Sequence, residues 1–498
     1  MQKFCRLLPL LVMMIAAAAQ AQPIDRPNLI FYFTDDQRAD AVGYAGNTAL
    51  STPNLDALAE QGLIFQNCFV NTSICAVSRA NVITGQYPDR HGVKDFFQTL
   101  SDDQLAASVP ARLRAAGYQT AFFGKWGIGD SAEATARGAA AFDYWAGQPM
   151  QTSFFHEPDC QYVNHDGFTG PVDWLCDCPA DSRGVAGFHN RIGKANLADP
   201  LHTDADVIPQ QVARFLGGRD ANKPFALFVF FKSPHSPFED WDEEVQHVTD
   251  GVHMPTPPGA TLALAQNEPD LIKKSLGRPS GMRYLEHPEE LDQHLRDYYR
   301  LVASMDRGVG RISQQLHDRQ LADHTVTLFT SDNGHFKGEH GLAGKWLMYE
   351  PSLRVPGFLH DPRPRDHGQP AAGLISARPV ITTDFSVTML ALAGLDVPET
   401  MTGRDLTALL DDPLADWRDD VYYDHPYGHD GSIPRTIGVR TDRYTYTRYV
   451  DSQPPFEQLF DLRDDPLQQH NLADDPAHAQ LLNTLRDRTD ELQQQTGR

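Results

Sequence analysis

Positive charge is scarce in this chain. Its 498 residues carry 43 Lys and Arg against 66 Asp and Glu, a formal net charge of −23. Nucleic-acid binding needs a basic face, so that class of partner is excluded. The same deficit means that an anionic substrate must be captured by local cations, because the overall field repels it. Cysteine is sparse as well, at six residues. Beyond the first 21 residues no run is long and apolar enough to cross a bilayer, so no stable membrane insertion is expected. Internal repeats and long low-complexity tracts are absent. What is present, 41% hydrophobic and 22% charged residues, is ordinary for a soluble globular protein. The length suits one large domain plus a smaller one.

The N-terminus has the three parts of a secretory leader. Lys3 and Arg6 give a positive start, Leu7 to Ala19 form an apolar run, and Ala19-Gln20-Ala21 fits a cleavage site. The run is too short to anchor the chain, and Cys5 precedes it, which is not the placement of a lipoprotein cysteine. Residues 1–21 are therefore read as a signal peptide, and the mature protein as exported, periplasmic or secreted. Five cysteines remain: Cys68, Cys75, Cys160, Cys176 and Cys178. An odd number in an exported chain flags one reactive or modified thiol. Cys160 with Cys176 or Cys178 reads as a local disulfide, since no matching His/Cys spacing for a metal knot follows.

Short apolar runs are each followed by chemically capable residues. Asn28 to Thr34 ends at Asp35-Asp36, Gln119 to Phe123 at Gly124-Lys125, Phe225 to Lys232 at Ser233-Pro234-His235, and Val326 to Ser331 at Asp332-Asn333. Runs of this kind fit parallel strands covered on both faces. Helical patterns lie between them: one opens at Ser51-Thr52-Pro53 and closes at Gly62, one spans Val109 to Ala116, and a long amphipathic stretch covers Leu291 to Leu321. Such alternation predicts an α/β fold, a large mixed and mostly parallel sheet flanked by helices. Ligands of these sheets sit beyond the carboxyl ends of the strands, so Asp, Lys, His and Asn at four strand ends point to one site. Residues 22–415 form the predicted catalytic domain, with an insertion over about 147–201. Residues 240–290 are also irregular. From 416 to 498, Tyr-rich alternating runs and a final helix from about Ala477 to Gln495 predict a smaller α+β domain on an antiparallel sheet.

The segment from Ser73 to Gly85 carries the most information. A helix starting near Cys75 puts Arg79 one turn along on the same face, and its N-terminus favours a bound anion. Taken alone, Cys-x-x-Ser-Arg also describes a buried structural cysteine. The order of motifs along the chain decides between them. Cys75, Ser78, Arg79, Val82-Ile83, Thr84 and Gly85 are followed by Gly85-Gln86-Tyr87-Pro88, Arg90-His91-Gly92 and Gly124-Lys125-Trp126. Then come Pro234-His235-Ser236-Pro237, Thr330-Ser331-Asp332-Asn333-Gly334, Gly338-Glu339-His340-Gly341 with Lys345, and Glu350 with Arg354-Val355-Pro356. Leu459-Phe460-Asp461-Leu462, Asp465-Pro466 and Asn471-Leu472 close the series. Over nearly the whole mature chain this resembles the type I sulfatases of the alkaline-phosphatase superfamily.

Asp35, Asp36, Asp332 and Asn333 are hard oxygen donors of the kind Ca²⁺ takes, with a cap or turn as the plainer reading of one Asp-Asp pair. The resemblance implies the same four residues as metal ligands, with the modified Cys75 completing the shell and Mg²⁺ as a possible substitute. It further implies that a maturation enzyme converts Cys75 to formylglycine (3-oxoalanine), whose hydrate attacks sulfur. In that scheme Arg79 holds the hydrate, Lys125 and Lys345 clamp sulfate oxygens, and His235 binds or protonates the leaving oxygen. Arg354 supports the site or reaches substrate. Two departures stand out: Val77 where the family usually has Pro, and Gly127 where it commonly has His. His91 and His340 are the candidates to compensate for that histidine. The expected substrate is a sulfated polysaccharide or its oligosaccharides, and the aromatic stretch from Gln151 to Trp174 reads equally as a sugar subsite or a disulfide-pinned loop. A phosphodiester or phosphonate-ester hydrolase on the same fold, and a non-catalytic glycan-binding homologue, are the competing readings.

Overall fold

The computed structural model describes residues 26–148, 153–160, 162, 197–364 and 371–497. The leader, with its cleavage site, lies outside them, as do most of the 147–201 insertion, Cys176 and Cys178.

The main sheet has eight strands: β1 (Asn28–Thr34), β2 (Leu63–Phe65), β3 (Gln119–Lys125), β4 (Tyr144–Gln148), β5 (Phe225–Phe230), β6 (Thr325–Ser331), β7 (Gly357–His360) and β8 (Leu374–Ser376). Their spatial order is β8-β2-β7-β6-β1-β5-β3-β4. Only β7 runs against the rest, pairing antiparallel with β6 and β2. The central strand β1 is parallel to both neighbours, Phe31 lying beside Phe228 and Leu328. Every residue of β1 is buried, which is why its sequence reads as an unbroken apolar run. Period 2 divides it between two cores. Leu29, Phe31 and Phe33 face one and Ile30 and Tyr32 the other.

Helices cover each face. On the Ile30 side lie α1 (Pro53–Glu60), α3 (Ile208–Gly218) and α4 (Pro288–Asp318). The last buries Leu291, Leu295, Tyr298, Val302, Met305, Val309, Ile312 and Leu316, a three–four spacing that makes one continuous apolar stripe. On the Phe31 side α2 (Cys75–Thr84) packs against α5 (Thr382–Leu392). All ten residues of α2 are buried. Beyond the sheet, β9 (Asp420–His425), β10 (Thr436–Thr441), β11 (Tyr444–Tyr449) and β12 (Phe456–Asp461) form an antiparallel meander. Helix α6 (Ala479–Thr496) packs on it through Leu482 and Leu485 against Val439, Tyr446 and Leu459.

Two strand ends differ from the sequence expectation, and both bear on the site. β3 continues through Gly124-Lys125 because β4 extends its pairing to Lys125 opposite Gln148. β5 stops at Phe230. There the Asp204 carboxylate replaces a strand neighbour, accepting from Ser233 N at 2.7 Å and Lys232 N at 3.4 Å. The chain therefore turns early and carries His235 back over the sheet end. Aromatic residues of the insertion also differ from a sugar-subsite reading. Phe154, Phe155, His156 and Tyr162 are buried. Phe155–His156 pairs with Leu201–His202, and Phe154 lies under Lys232 Nζ at 4.1 Å. His165 and Trp174 lie outside the described residues.

The start of α5 is held by a fully buried carboxylate. Asp384 accepts from Ile381 N at 2.8 Å and Arg404 N at 2.7 Å, and from Arg418 Nη2 at 2.7 Å. Asp384→Ala should cost about 3–5 kcal/mol, because it strands the Arg418 guanidinium as well as removing the cap. A lower urea midpoint with an unchanged slope is the expected result; a shift below about 0.5 kcal/mol, the scale of a bland surface change, would contradict it.

Candidate active site

Four adjacent strands, in the order β6, β1, β5 and β3, end at the same rim. β1 delivers Asp35 and Asp36, β6 delivers Asp332 and Asn333, β3 ends on Lys125, and the turn after β5 delivers His235. Cys75 opens α2 beside them, and Lys345 reaches in from the loop after Ala343–Gly344. The carboxyl-end rule for parallel sheets is obeyed by every one of the four strand-end groups.

Cys75 and Arg79 lie one turn apart on α2. Cys75 Sγ donates to Asp35 Oδ1 at 3.3 Å and accepts from Lys345 Nζ at 2.7 Å. Lys345 Nζ also bonds Asp36 Oδ1, and Lys125 Nζ bonds Asp35 Oδ2. Arg79 is fully buried. Its Nε donates to Asp332 Oδ2 at 3.1 Å, its Nη2 lies 3.4 Å from Asp35, and its guanidinium sits over the Phe33 and Phe230 rings. His235 Nε2 faces Asp36 Oδ2 at 3.7 Å while Nδ1 faces the Ser236 carbonyl at 2.9 Å.

Burial and charge act against each other throughout. Burial pushes Asp35 upward, but Lys125, His235, Arg79 and Lys345 outweigh it and hold the carboxyl well below its usual range. Asp36 is likewise held low, with burial opposed chiefly by Lys345. Asp332 ends at about 7, because burial and the charge of Asp35 exceed what Arg79 returns. Burial lifts the Cys75 thiol to about 12, with Asp35 adding to the effect. An unmodified Cys75 is therefore protonated at neutral pH and a poor nucleophile. Burial lowers His235 to about 4, leaving the ring neutral.

The donor set fits a hard cation. Ligand oxygens of Asp35, Asp36 and Asp332 lie within 4.8 Å of one another. Asn333 sends its Nδ2 to Asp36 Oδ1 at 2.6 Å and to the Gly334 carbonyl, while its buried Oδ1 finds no partner among the described residues. An orphaned amide oxygen beside three carboxylates is the oxygen-only coordination that Ca²⁺ or Mg²⁺ takes.

The remaining sequence candidates are hydrogen-bonded to other groups. His91 bonds Asn81 Oδ1 at 2.7 Å through Nε2 and accepts from Val93 N at 3.1 Å, an arrangement that pins the turn after α2. His340 bonds Glu268 at 2.6 Å and packs on Tyr349. Arg354 donates from Nε and Nη2 to the Gln66 carbonyl. It lines, with Arg38, Asp40, Glu339 and His340, a cavity of about 300 Å³. Sequence reasoning missed Tyr423, whose hydroxyl accepts from Ser73 N at 3.3 Å and donates to the Trp346 carbonyl at 2.8 Å. It also missed Lys337, fully buried against the Phe238 and Tyr298 rings with Nζ 2.9 Å from His294 Nε2. The Tyr-rich alternation around residue 423 was visible in the sequence; the partner it reaches, 350 positions away, was not.

Gly127 lies inside this constellation. Its φ is +70°, and a Cβ there would meet Arg79 Cδ at 2.9 Å, Arg79 Nε at 3.3 Å and Lys125 Cε at 3.3 Å. The guanidinium arm of Arg79 thus passes through the space that any side chain at 127 would need.

Comparison with known proteins places the chain in a family. The sulfatase family model matches residues 27–395, and a model described as N-sulphoglucosamine sulphohydrolase, C-terminal, matches residues 338–495. The chain belongs to the sulfatase family, whose members hydrolyse sulfuric esters. It is 27% identical to an N-acetylglucosamine-6-O-sulfatase of Bacteroides thetaiotaomicron over 98% of this chain and 90% of that protein. It is also 27% identical to the multifunctional alkaline phosphatase superfamily protein PehA of Trinickia caryophylli, over 92% of this chain and 93% of that one. A solved structure of an enzyme in complex with its substrate D-glucosamine-2-N,6-O-disulfate superimposes with a TM-score of 0.73. The two are 25% identical, and the match covers 95% of this chain and 98% of that one.

Restoring the histidine at 127 should fail. Gly127→His combines a left-handed backbone, at about 1–2 kcal/mol, with overpacking against a pinned Arg79, at about 1–3 kcal/mol. The expected outcome is a less stable protein with lower kcat, measured by thermal unfolding and sulfate release. A variant as stable as wild type and more active would show that the position is open.

Proposed function

We propose that this protein is an exported sulfatase that removes sulfate from a sulfated polysaccharide or its oligosaccharides, using formylglycine made from Cys75 and a bound Ca²⁺. The observation that carries the reading is the convergence of three carboxylates, one orphaned amide oxygen, two lysines and an arginine around the side chain that opens α2. The glycan assignment draws on relatives: the N-acetylglucosamine-6-O-sulfatase above, and an ulvan-active sulfatase of Formosa agariphila that is 26% identical. The apolar run from Leu7 to Ala19 supports export.

Asp35, Asp36, Asp332 and Asn333 would hold the cation with residue 75, and its contribution is to acidify a hydroxyl on that residue and offset charge. Formylglycine at residue 75 would supply, as its hydrate, a hydroxyl nucleophile for sulfur and a second hydroxyl that lets the sulfate be released. Lys345 Nζ already contacts the side chain at 75, so it is in reach of an oxygen on the transferred sulfuryl group. Lys125 approaches from the β3 side, and together they offset charge spread over the sulfuryl oxygens. Arg79 is anchored by Asp332, Asp35 and the Lys125 carbonyl, so it holds Lys125 and the carboxylates in register. His235 gives the proton to the departing alcohol. Its ring is neutral at rest, and an incoming sulfate charge raises its pKa toward that role.

The assay compares sulfate release from aryl sulfate and sulfated oligosaccharides with turnover of aryl phosphate diesters and phosphonates. Sulfate esters should be preferred; faster turnover of the phosphorus esters would favour the multifunctional chemistry named for PehA. Cys75→Ala and Cys75→Ser should each lose at least about a thousandfold in kcat. After native expression the peptide containing residue 75 should react with a hydrazide, and an unmodified thiol there would overturn the formylglycine route. Chelation with EGTA should lower both activity and Tm, and Ca²⁺ should restore both, with stabilisation of about 2.7 kcal/mol at a hundred times Kd.

A further inference from the structure

Trp346 follows Lys345 directly, and Lys345 Nζ contacts Cys75 Sγ at 2.7 Å. The Trp346 carbonyl accepts from the Tyr423 hydroxyl at 2.8 Å, and that hydroxyl oxygen in turn accepts from Ser73 N at 3.3 Å. Trp346 is thus tied to a residue two positions before the nucleophile and adjoins one that touches it. Its φ is +83°, a conformation in which a bulky side chain is rare and costly. Glycine would occupy it without strain. An indole is kept there instead, half-buried and outside the packed cores. Gly344 makes room for it: a Cβ at 344 would lie 3.0 Å from the ring's Cζ3 and 3.1 Å from Cη2. The Cζ3–Cη2 side of the indole therefore lies close against Gly344, and its Nε1 finds no partner among the described residues.

We infer that the Trp346 indole is the platform on which a sugar ring of the substrate stacks, in the subsite that holds the leaving alcohol. This rests on the sulfatase reading above and extends it from sulfate capture to recognition of the group that sulfate leaves. The chemistry is complementary. A pyranose presents a face of C–H groups, and an aromatic face binds it with large contact area and without charge. A flat, charge-free platform suits a protein whose own field is strongly negative. The strained backbone aims the ring while keeping Lys345 on Cys75, which couples ring placement to sulfate placement.

Two variants separate ring contact from backbone support. Trp346→Gly removes the ring and relieves the strain, so the loop holding Lys345 keeps its conformation; Trp346→Phe keeps a stacking face. Each is assayed on ethyl sulfate, which has no ring, and on a panel of N-acetylglucosamine 6-sulfate and sulfated disaccharides. For Trp346→Gly the ratio of saccharide to ethyl sulfate kcat/KM should fall about 3- to 10-fold, through KM, and Trp346→Phe should recover most of it. An unchanged ratio, whether both rates fall or neither does, overturns the inference and leaves Trp346 as a support for Lys345. Calorimetric titration of the same saccharides into the Cys75→Ser protein, with and without Trp346→Gly, reads the platform independently of turnover. A Kd raised about 3- to 10-fold by loss of the ring supports it. An equal Kd, or no saccharide binding while Trp346 is present, overturns it. Failure to hydrolyse any sulfate ester would sink the sulfatase reading instead, and the titration would still decide the role of Trp346.

Discussion

Everything at the site depends on how buried charge is balanced at the ends of four parallel strands. Asp35, Asp36 and Asp332 are almost wholly removed from water, and isolated carboxylates there would be prohibitively costly. Arg79, Lys125 and Lys345 meet them, and each of the three cations comes from a different element: a helix, a strand end and a loop. No element can leave without stranding a charge in another. Removing one partner of such a set costs several kcal/mol, which makes the geometry of the site and the integrity of the sheet the same property.

Arg79 is the member that reaches furthest. Its side chain crosses from α2 to the β3 end, over the Phe33 and Phe230 rings, and bonds groups from β1, β6 and β3. Gly127 is the counterpart of that reach. Around its left-handed turn, Arg79 and Lys125 occupy the volume that a side chain there would need. His91 and His340, the other histidines with motif neighbours, are committed to Asn81 and Glu268.

The C-terminal meander reaches the site through its first strand. Asp424 N bonds the Asn71 carbonyl at 3.0 Å, Thr72 Oγ1 bonds the Asp424 carbonyl at 2.5 Å, and the Tyr423 hydroxyl spans Ser73 and Trp346. Strand β9 thus braces the turn that presents Cys75 and the loop that presents Lys345. This gives the smaller sheet a role in the geometry of a site to which it contributes no charged group.

The sequence alone carried the local and periodic features. An all-apolar β1 means burial on two faces, and the three–four stripe of α4 means one buried side; both depend only on backbone periodicity. The strand-end residues Asp35, Asp36, Lys125, His235, Asp332 and Asn333 were legible for the same reason, since parallel strands place their carboxyl ends together whatever the intervening chain does. The tertiary structure decided what depends on meetings between distant segments. It bonded His91 to Asn81, His340 to Glu268 and Arg354 to the Gln66 carbonyl, turned the insertion's Phe154 and Phe155 inward, and filled the space at Gly127 with Arg79. It also set Tyr423 between Ser73 and Trp346. No periodicity encodes such contacts, because side chains hundreds of residues apart share a volume only after the sheet has ordered the strands that carry them.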